Sequence, residues 1–216
     1  MKNFKDIIYI GVDDLGVDLF EGQYTVPEGM AYNSYIILDE KTAVMDTVDK
    51  AKVDEWLAKL AAALDGKAPD YLVISHMEPD HSAGIARFCE KYPTATVVGS
   101  AKAFQMLRNF YGTTPSGTLA VKEGDTLSLG AHTLRFIAAP MIHWPEVMMS
   151  YEEKDKILFA ADAFGKFGAL CNETDDWTCE ARRYYFNIVG KYGAQVQAVL
   201  KKLAGVELRA ICPLHG

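Results

Sequence analysis

The fold is decided by Tyr71-Leu72-Val73-Ile74-Ser75-His76-Met77-Glu78-Pro79-Asp80-His81, an apolar run that ends on a dense polar cluster. Short apolar runs bounded by Pro and Asp are typical of buried strands. This strand delivers two imidazoles and two carboxylates, which are common ligands of transition metals. His76 and Glu78 alternate, so they face the same side of an extended chain, whereas Asp80 and His81 follow Pro79 and can reach a second site.

Three other apolar runs each lead to one further ligand. They are residues 134–137 with His143, residues 157–160 with Asp162, and residues 208–211 with His215. If these strands share an edge with the first, seven ligands converge there, which is enough for two metal ions. A lone histidine is usually a solvated surface residue, and His132 is predicted to be one.

The rest of the chain alternates between strand and helix patterns. Apolar residues at helical spacing follow position 52, namely Val53, Trp56, Leu57, Leu60 and Leu64. Further helices are predicted at 82–92, 101–111 and 180–203, the last kinked around Gly190 and Gly193. Further strands are predicted at 6–10, 34–38, 42–46, 96–98, 118–121 and 126–129. This order predicts an α/β protein in which two sheets pack face to face with helices outside, an αββα sandwich formed by residues 1–216 as a single domain.

Composition narrows the class of protein. The chain has 216 residues and a net charge of −7, so general electrostatic attraction to nucleic acid or to an anionic membrane is not expected. Its apolar runs fall short of the roughly 18–20 residues of a membrane helix, and a cytoplasmic location is predicted. The four cysteines form no Cys-x-x-Cys pair, which argues against a zinc ribbon or an iron–sulfur cluster.

The charge of the predicted ligands favours particular metals. The three carboxylates Glu78, Asp80 and Asp162, with a bridging hydroxide or oxo group, would balance the charge of two divalent ions. Oxygen-rich shells that also contain imidazole suit iron or manganese better than zinc. The ligand set therefore favours a redox-active pair of ions.

The pattern His-x-Glu-x-Asp-His, followed by a distant His, an Asp and a final His, resembles the diiron domain of flavodiiron proteins. These are A-type flavoproteins built on the metallo-β-lactamase fold. The supporting segments are Met30-Ala31-Tyr32-Asn33-Ser34-Tyr35, Met45-Asp46-Thr47-Val48, His143-Trp144-Pro145-Glu146, Asp162-Ala163-Phe164-Gly165 and Cys212-Pro213-Leu214-His215-Gly216. Hydrolases of the same superfamily are less similar, because they typically carry His at the position of Glu78.

The resemblance implies a role for each ligand. The first iron would be bound by His76, Glu78 and His143, the second by Asp80, His81 and His215, and Asp162 would bridge them. The counterpart of His81 is a ligand in some members and is turned away in others. The implied reaction is reduction of dioxygen to water, of nitric oxide to nitrous oxide, or of both.

The resemblance also implies partners. Electrons would come from a flavodoxin-like or rubredoxin-type donor. The family forms head-to-tail dimers in which flavin and diiron sites meet, and half of that contact is missing from this sequence, so a homodimer is one alternative and the oligomeric state stays open. Family members usually continue into a flavodoxin-like domain that binds FMN. This sequence shows no phosphate-cradling loop, so that domain is expected to be absent and FMN is not expected on this chain.

Two alternative functions remain open at this stage. One is a diiron module that senses oxygen or iron without turnover, and the other is a zinc hydrolase of the thioesterase or lactamase type. Pocket polarity would decide between oxygen and nitric oxide. The candidates for the pocket wall, each more typical of ordinary core, are Tyr24, Trp144, Phe164, Tyr184 and Tyr185.

Overall fold

Two β-sheets form the framework of this computed structural model, which describes residues 4–112, 115–172 and 177–216. The strands, in chain order, are β1 (Ile7–Tyr9), β2 (Val12–Asp14), β3 (Leu19–Phe20), β4 (Tyr24–Thr25), β5 (Met30–Tyr32), β6 (Tyr35–Ile37), β7 (Ala43–Met45), β8 (Tyr71–Val73), β9 (Thr96–Gly99), β10 (Gly117–Ala120), β11 (Thr126–Ser128), β12 (Thr133–Ala138), β13 (Met148–Glu152), β14 (Ile157–Phe159) and β15 (Ala210–Cys212). One sheet has the order β1-β6-β7-β8-β9-β10 and the other β11-β12-β13-β14-β15, while β2 pairs with β5 and β3 with β4.

Helices cover the outer faces of the sheets. They are α1 (Val53–Leu64), α2 (Pro79–Ser82), α3 (Ile85–Lys91), α4 (Ala101–Tyr111), α5 (Trp177–Tyr184) and α6 (Gly193–Leu203). A π-helical segment, Tyr185–Val189, and a single 3-10 turn, Gly190–Tyr192, connect α5 to α6, and two more 3-10 turns span Lys50–Lys52 and Leu170–Asn172. No helix among these described residues combines the length and apolarity needed to cross a bilayer.

Side chains alternate between the two faces of each strand, and this alternation explains how the layers pack. In β6, Tyr35 and Ile37 belong to the core between the sheets, where they join Phe136 and Phe159 of the second sheet. Ile36 points the other way and belongs to the core that includes Trp56 and the other buried residues of α1. Period-two alternation of this kind places each face of the sheet against a different layer. The predicted αββα sandwich is therefore confirmed.

Strand direction positions the ligands. β7, β8 and β9 are mutually parallel, so their carboxyl ends lie at one edge of the first sheet. In the second sheet β13 runs antiparallel to both β12 and β14, and β15 is parallel to β14. β12, β14 and β15 thus run in a common direction. The ligand-bearing strands belong to two sheets rather than to one.

Several boundaries differ from the sequence prediction. The helix predicted at 82–92 is divided into α2 and α3, and the last strand begins at Ala210 rather than at residue 208. β13 was not predicted. All five of its residues are buried, so it lacks the alternation by which a half-exposed strand is found.

Candidate metal centre

The polar cluster follows β8 in a tight turn into α2. Pro79 is the first helical residue, and Glu78 occupies the N-cap position without a capping hydrogen bond from its side chain. Two residues after β7 fix the turn: Asp46 Oδ1 accepts a hydrogen bond from the Ser75 amide at 2.6 Å, and Thr47 Oγ1 donates one to the His81 carbonyl at 2.7 Å. The backbone of the cluster is therefore anchored at both ends to the neighbouring strand.

The other three ligands come from the second sheet. His143 lies in the loop between β12 and β13, Asp162 follows β14 and His215 follows β15. All seven predicted ligand side chains are buried, and none is more than 9% exposed. The structure thus brings all seven together at one end of the sandwich.

One group of ligands surrounds His143. Its Nε2 atom lies 3.0 Å from Glu78 Oε2 and 3.0 Å from Asp162 Oδ2. Nε2 of His76 lies 3.3 Å from the same Glu78 oxygen and 3.6 Å from the same Asp162 oxygen. Two imidazole nitrogens and two carboxylate oxygens therefore face one point.

A second group lies on the other side of Asp162. Nε2 of His81 and Nε2 of His215 are 2.9 Å apart. Asp80 Oδ2 lies 3.4 Å from the first of these nitrogens and 3.3 Å from the second. Asp162 turns its other oxygen, Oδ1, toward this group, at 3.3 Å from His81 and 4.0 Å from His215. The single carboxylate of Asp162 thus faces both groups.

These groups fit two metal ions. A first-row metal binds nitrogen and oxygen ligands at about 2.0–2.2 Å, which places neighbouring ligand atoms about 2.8–3.6 Å apart. The contacts given above fall between 2.9 and 3.6 Å, except for the 4.0 Å distance from His215 to Asp162. Both Asp80 oxygens and Asp162 Oδ1 are buried, and apart from the ion-pair contacts to the imidazoles they make no hydrogen bond of good geometry among the described residues. Buried carboxylate oxygens of this kind are costly unless something binds them.

In the metal-free site the histidines and the carboxylates form ion pairs. Burial raises the pKa of Glu78, but hydrogen bonds from His143 and His76 outweigh it and lower that pKa to about 2. Burial lowers the pKa of His143, yet its hydrogen bonds to Asp162 and Glu78 raise that pKa to about 9. Protons on the imidazoles therefore balance the carboxylates, and a metal ion would displace them.

Two residues beside the site adopt left-handed backbone conformations that non-glycine residues seldom adopt. Asp46 has φ 56° and Ala161, immediately before Asp162, has φ 50°. Such conformations cost of the order of 1–3 kcal/mol each and cluster at functional sites. Their position supports a functional rather than a purely structural role for this end of the sandwich.

A cavity of about 540 Å³ opens onto the site, where Glu78, Asp80 and His143 line it. Trp144 also lines it, and its ring centroid lies 5.2 Å from that of His76. Trp144 is therefore the one wall candidate from the sequence that faces this opening.

The other wall candidates lie elsewhere. Phe164, Tyr184 and Tyr185 line a separate apolar groove, and Tyr24 packs on Phe167 at 5.9 Å between ring centroids. Tyr184 nevertheless approaches the site from behind, with its ring centroid 5.6 Å from that of His215.

The prediction for His132 was wrong. The residue is fully buried, and its Nδ1 atom lies 3.0 Å from Glu152 Oε1. Its Nε2 atom lies 3.0 Å from Lys154 Nζ, which also donates to Asp6. Although His132, Glu152 and Asp155 cluster closely enough to hold an ion, the Lys154 ammonium sits against the imidazole. The cluster is better described as a polar network that ties β12 to the turn after β13.

Sequence reasoning assigned no role to several residues that position the ligands. The Glu146 carboxylate contacts His76 at 2.7 Å, and the Ala31 carbonyl accepts from His215 Nδ1 at 2.8 Å. Asn33 donates to the Pro213 carbonyl, just before the last ligand, at 3.0 Å. These residues lie in the segments that carry the family resemblance, so the sequence marked their location but not their contacts.

Comparison with known proteins agrees with this geometry. Residues 30–216 match the family model described as ODP family beta lactamase. The chain is 34% identical over 219 residues to the nitric oxide reductase of Moorella thermoacetica, a match that covers 97% of this chain and 55% of that protein. It is also 34% identical over 215 residues to the rubredoxin-oxygen oxidoreductase of Megalodesulfovibrio gigas, covering 96% of this chain and 54% of that protein.

A solved structure shows the same fold. The flavodiiron protein from Giardia intestinalis superposes with a TM-score of 0.92 at 34% sequence identity, over 99% of this chain and 53% of that one. The chain therefore spans about half the length of the relatives that it matches.

Proposed function

Because the chain belongs to the ODP beta-lactamase family and is the metallo-β-lactamase-like domain of a flavodiiron protein, we propose that it is a diiron oxidoreductase core. In this proposal residues 1–216 act as one unit that reduces dioxygen to water, nitric oxide to nitrous oxide, or both. Electrons are supplied by a flavin- or rubredoxin-type donor. Two relatives support this choice of reaction: one is a nitric oxide reductase and the other is a rubredoxin-oxygen oxidoreductase.

The observation that carries the proposal is the position of Asp162. One of its oxygens lies 3.0 Å from His143 and the other lies 3.3 Å from His81, so one carboxylate serves both ligand groups. A pair of ions that share a carboxylate are held close enough to act on one small molecule. In the proposal His76, Glu78 and His143 would hold the first iron, Asp80, His81 and His215 would hold the second, and Asp162 would serve both.

The protein residues supply charge balance and orientation. Three carboxylates offset most of the charge of two divalent ions, and the imidazoles leave the total charge unchanged. Two iron ions at this site would supply two electrons to a diatomic substrate, one from each ion. The anchored backbone around Asp46 and Thr47 keeps the cluster in place while that charge changes.

Two aromatic residues, Trp144 and Tyr184, border the proposed site. Trp144 lines the opening and packs edge to face against the His76 ring. Tyr184 is buried, and its hydroxyl has no hydrogen-bond partner among the described residues. Burial and the charge of Asp162 raise the pKa of Tyr184 well above its usual value. Its hydroxyl therefore stays protonated and can donate a hydrogen bond, but it releases its proton less readily than an ordinary tyrosine does.

The test is metal analysis followed by turnover. Protein purified anaerobically should contain two irons per chain and should reduce oxygen or nitric oxide when a reduced flavodoxin or rubredoxin is supplied. A single tightly bound ion with Asp80 and His215 free would reject the two-metal centre. Two irons with oxygen binding but no turnover with either donor would favour the sensor. Hydrolysis of thioesters by a zinc-loaded chain that takes up no iron would favour the hydrolase.

A further inference from the structure

Glu146 makes the closest side-chain contact to any of the proposed ligand histidines. Its Oε1 atom lies 2.7 Å from Nδ1 of His76, and both side chains are fully buried. The same oxygen accepts a hydrogen bond from the Met77 amide at 2.9 Å. One carboxylate oxygen therefore fixes both the ring of His76 and the backbone that follows it.

This contact selects a tautomer of His76. Because a carboxylate only accepts hydrogen bonds, the imidazole proton must lie on Nδ1. Once a metal ion displaces the second proton, the lone pair lies on Nε2, which faces Glu78 at 3.3 Å and Asp162 at 3.6 Å. Glu146 thus holds the ring in the orientation and protonation state that a metal ligand needs.

Two histidines of the second group lack such a partner. Nδ1 of His215 contacts the uncharged Ala31 carbonyl at 2.8 Å, and Nδ1 of His81 has no hydrogen-bond partner among the described residues. A carboxylate acceptor makes an imidazole a stronger ligand than a carbonyl acceptor does. The two groups therefore differ in ligand strength although their ligand types are alike.

The burial of Glu146 is not explained by a gain in stability. Its second oxygen, Oε2, is buried and has no hydrogen-bond partner among the residues that the structure describes. A half-satisfied buried carboxylate is costly, and a neutral side chain of the same size would avoid that cost. The burial of this carboxylate beside His76 therefore points to a role at the site.

We propose that Glu146 is a positioning residue, which directs Nε2 of His76 toward the metal and makes the His76–Glu78–His143 position the tighter of the two. The inference rests on the proposed two-metal centre. It assigns an order of loading, in which the first ion enters the position supported by Glu146 and the second enters the position of Asp80 and His215.

The chain supplies a matched control. Glu152 is a second fully buried glutamate that contacts a buried histidine, with Oε1 at 3.0 Å from Nδ1 of His132. Neither residue is among the proposed ligands. Glu146→Gln and Glu152→Gln therefore make the same chemical change to the same kind of pair, once at the site and once outside it.

The experiment is a titration of the metal-free protein with cobalt(II). Binding is measured by the visible absorption of the bound ion and by calorimetry. Glu146→Gln should weaken the tighter cobalt site by about 10- to 100-fold, the usual effect of removing such a partner, and should change its absorption bands. Glu152→Gln should leave both affinities and both spectra unchanged, even if it lowers the melting temperature. Glu146→Asp gives a second comparison should the glutamine variant fail to fold, because it keeps the charge but withdraws the oxygen from Nδ1.

The outcomes separate the two ideas. Wild-type protein that binds fewer than two cobalt ions rejects the two-metal centre on which the inference rests. Wild-type protein that binds two ions, with both sites unchanged in Glu146→Gln, rejects the role of Glu146 alone. An equal loss of affinity at both sites, in either glutamine variant, would show a general structural effect and would also reject it.

Discussion

Nε2 of His81 lies 2.9 Å from Nε2 of His215, so two imidazoles present the same ring nitrogen to one another at hydrogen-bond distance. At most one proton can lie between them, and a metal ion bound by both nitrogens would replace it. The two rings are held differently, however. His215 is fixed at Nδ1 by the Ala31 carbonyl, whereas Nδ1 of His81 has no hydrogen-bond partner among the described residues. His81 is therefore the more readily dispensable of the pair.

Asp162→Ala and His81→Ala should differ in metal content. Asp162 faces both groups, so its loss removes a ligand atom from each group and the one negative charge that they share, and we expect at least one of the two irons to be lost. His81→Ala removes one neutral ligand whose ring is less firmly held, and both irons should remain. Elemental analysis of anaerobically purified variants measures this. Equal iron content in the two variants would contradict the assignment of Asp162 as the bridge.

The metal-free chain should lose stability as the pH rises. The pKa of His143 is raised to about 9 in the folded state, compared with about 6.5 in an unfolded chain. Its protonation therefore stabilises the metal-free fold fully below pH 6.5, and this contribution, at most about 3 kcal/mol, is lost as the pH rises through 9. Melting temperatures of chelator-treated protein between pH 6 and pH 9.5 should fall. His143→Gln should show a smaller fall over the same range.

Metal affinity should change in the opposite direction over that interval. Below pH 9 an ion must displace the proton of His143, and above it no proton is displaced there. Cobalt(II) affinity measured by calorimetry should therefore rise from pH 6.5 to 9, with proton release that falls to a minimum at the upper end. An affinity independent of pH would indicate that His143 is not a ligand.

Gly84→Ala should destabilise the protein and weaken its metal site. A Cβ atom at Gly84 would lie 2.9 Å from Thr47 Cβ, and Thr47 anchors the His81 carbonyl at 2.7 Å. We expect a loss of about 1–3 kcal/mol, typical of overpacking, measured by urea unfolding. Gly193→Ala is the control, because a Cβ atom there meets no atom within 4 Å. It should be neutral or stabilise by up to about 1 kcal/mol, and the opposite ranking would contradict the packing argument.

Electron counting predicts limited turnover without a donor. Joining two nitric oxide molecules into nitrous oxide and water takes two electrons and two protons, whereas taking dioxygen to water takes four electrons. A chain charged with two electrons should thus yield about one nitrous oxide and then stop. Rapid mixing followed by gas analysis measures the yield, with Asp162→Ala as the inactive control. Sustained reduction of oxygen to water with no added donor would reveal a further electron source in the protein.

Much of the fold follows from local patterns. The apolar spacing from Val53 to Leu64 predicted α1, and the strands that carry the ligand cluster were found from short apolar runs. β13 was not predicted, because burial on both faces removes the alternation of apolar and polar residues. The division of the ligand strands between two sheets depends on long-range pairing, such as β14 with β15 across some fifty residues, and local sequence does not encode it.

The side chains that gather at the site were predictable from the sequence, but the residues that hold them in place were not. Seven metal-type side chains at strand ends are a strong pattern because few other structures require them. Glu146 looks like any other acidic loop residue until the fold places it 2.7 Å from His76. The error at His132 has the same origin, since its burial depends on Glu152 and Lys154, which only strand pairing brings near.

The order of the ligands along the chain has a consequence for biosynthesis. The group around His143 is complete once Asp162 has been made, whereas the group around Asp80 must wait for His215, 53 residues later. At about 5–20 residues per second, that is a delay of about 3–10 s on the ribosome. Throughout that interval the nascent chain can present one finished metal position beside an unfinished one. Iron captured early would be exposed on its open side, so delivery of the metal after release of the chain is the safer order of events.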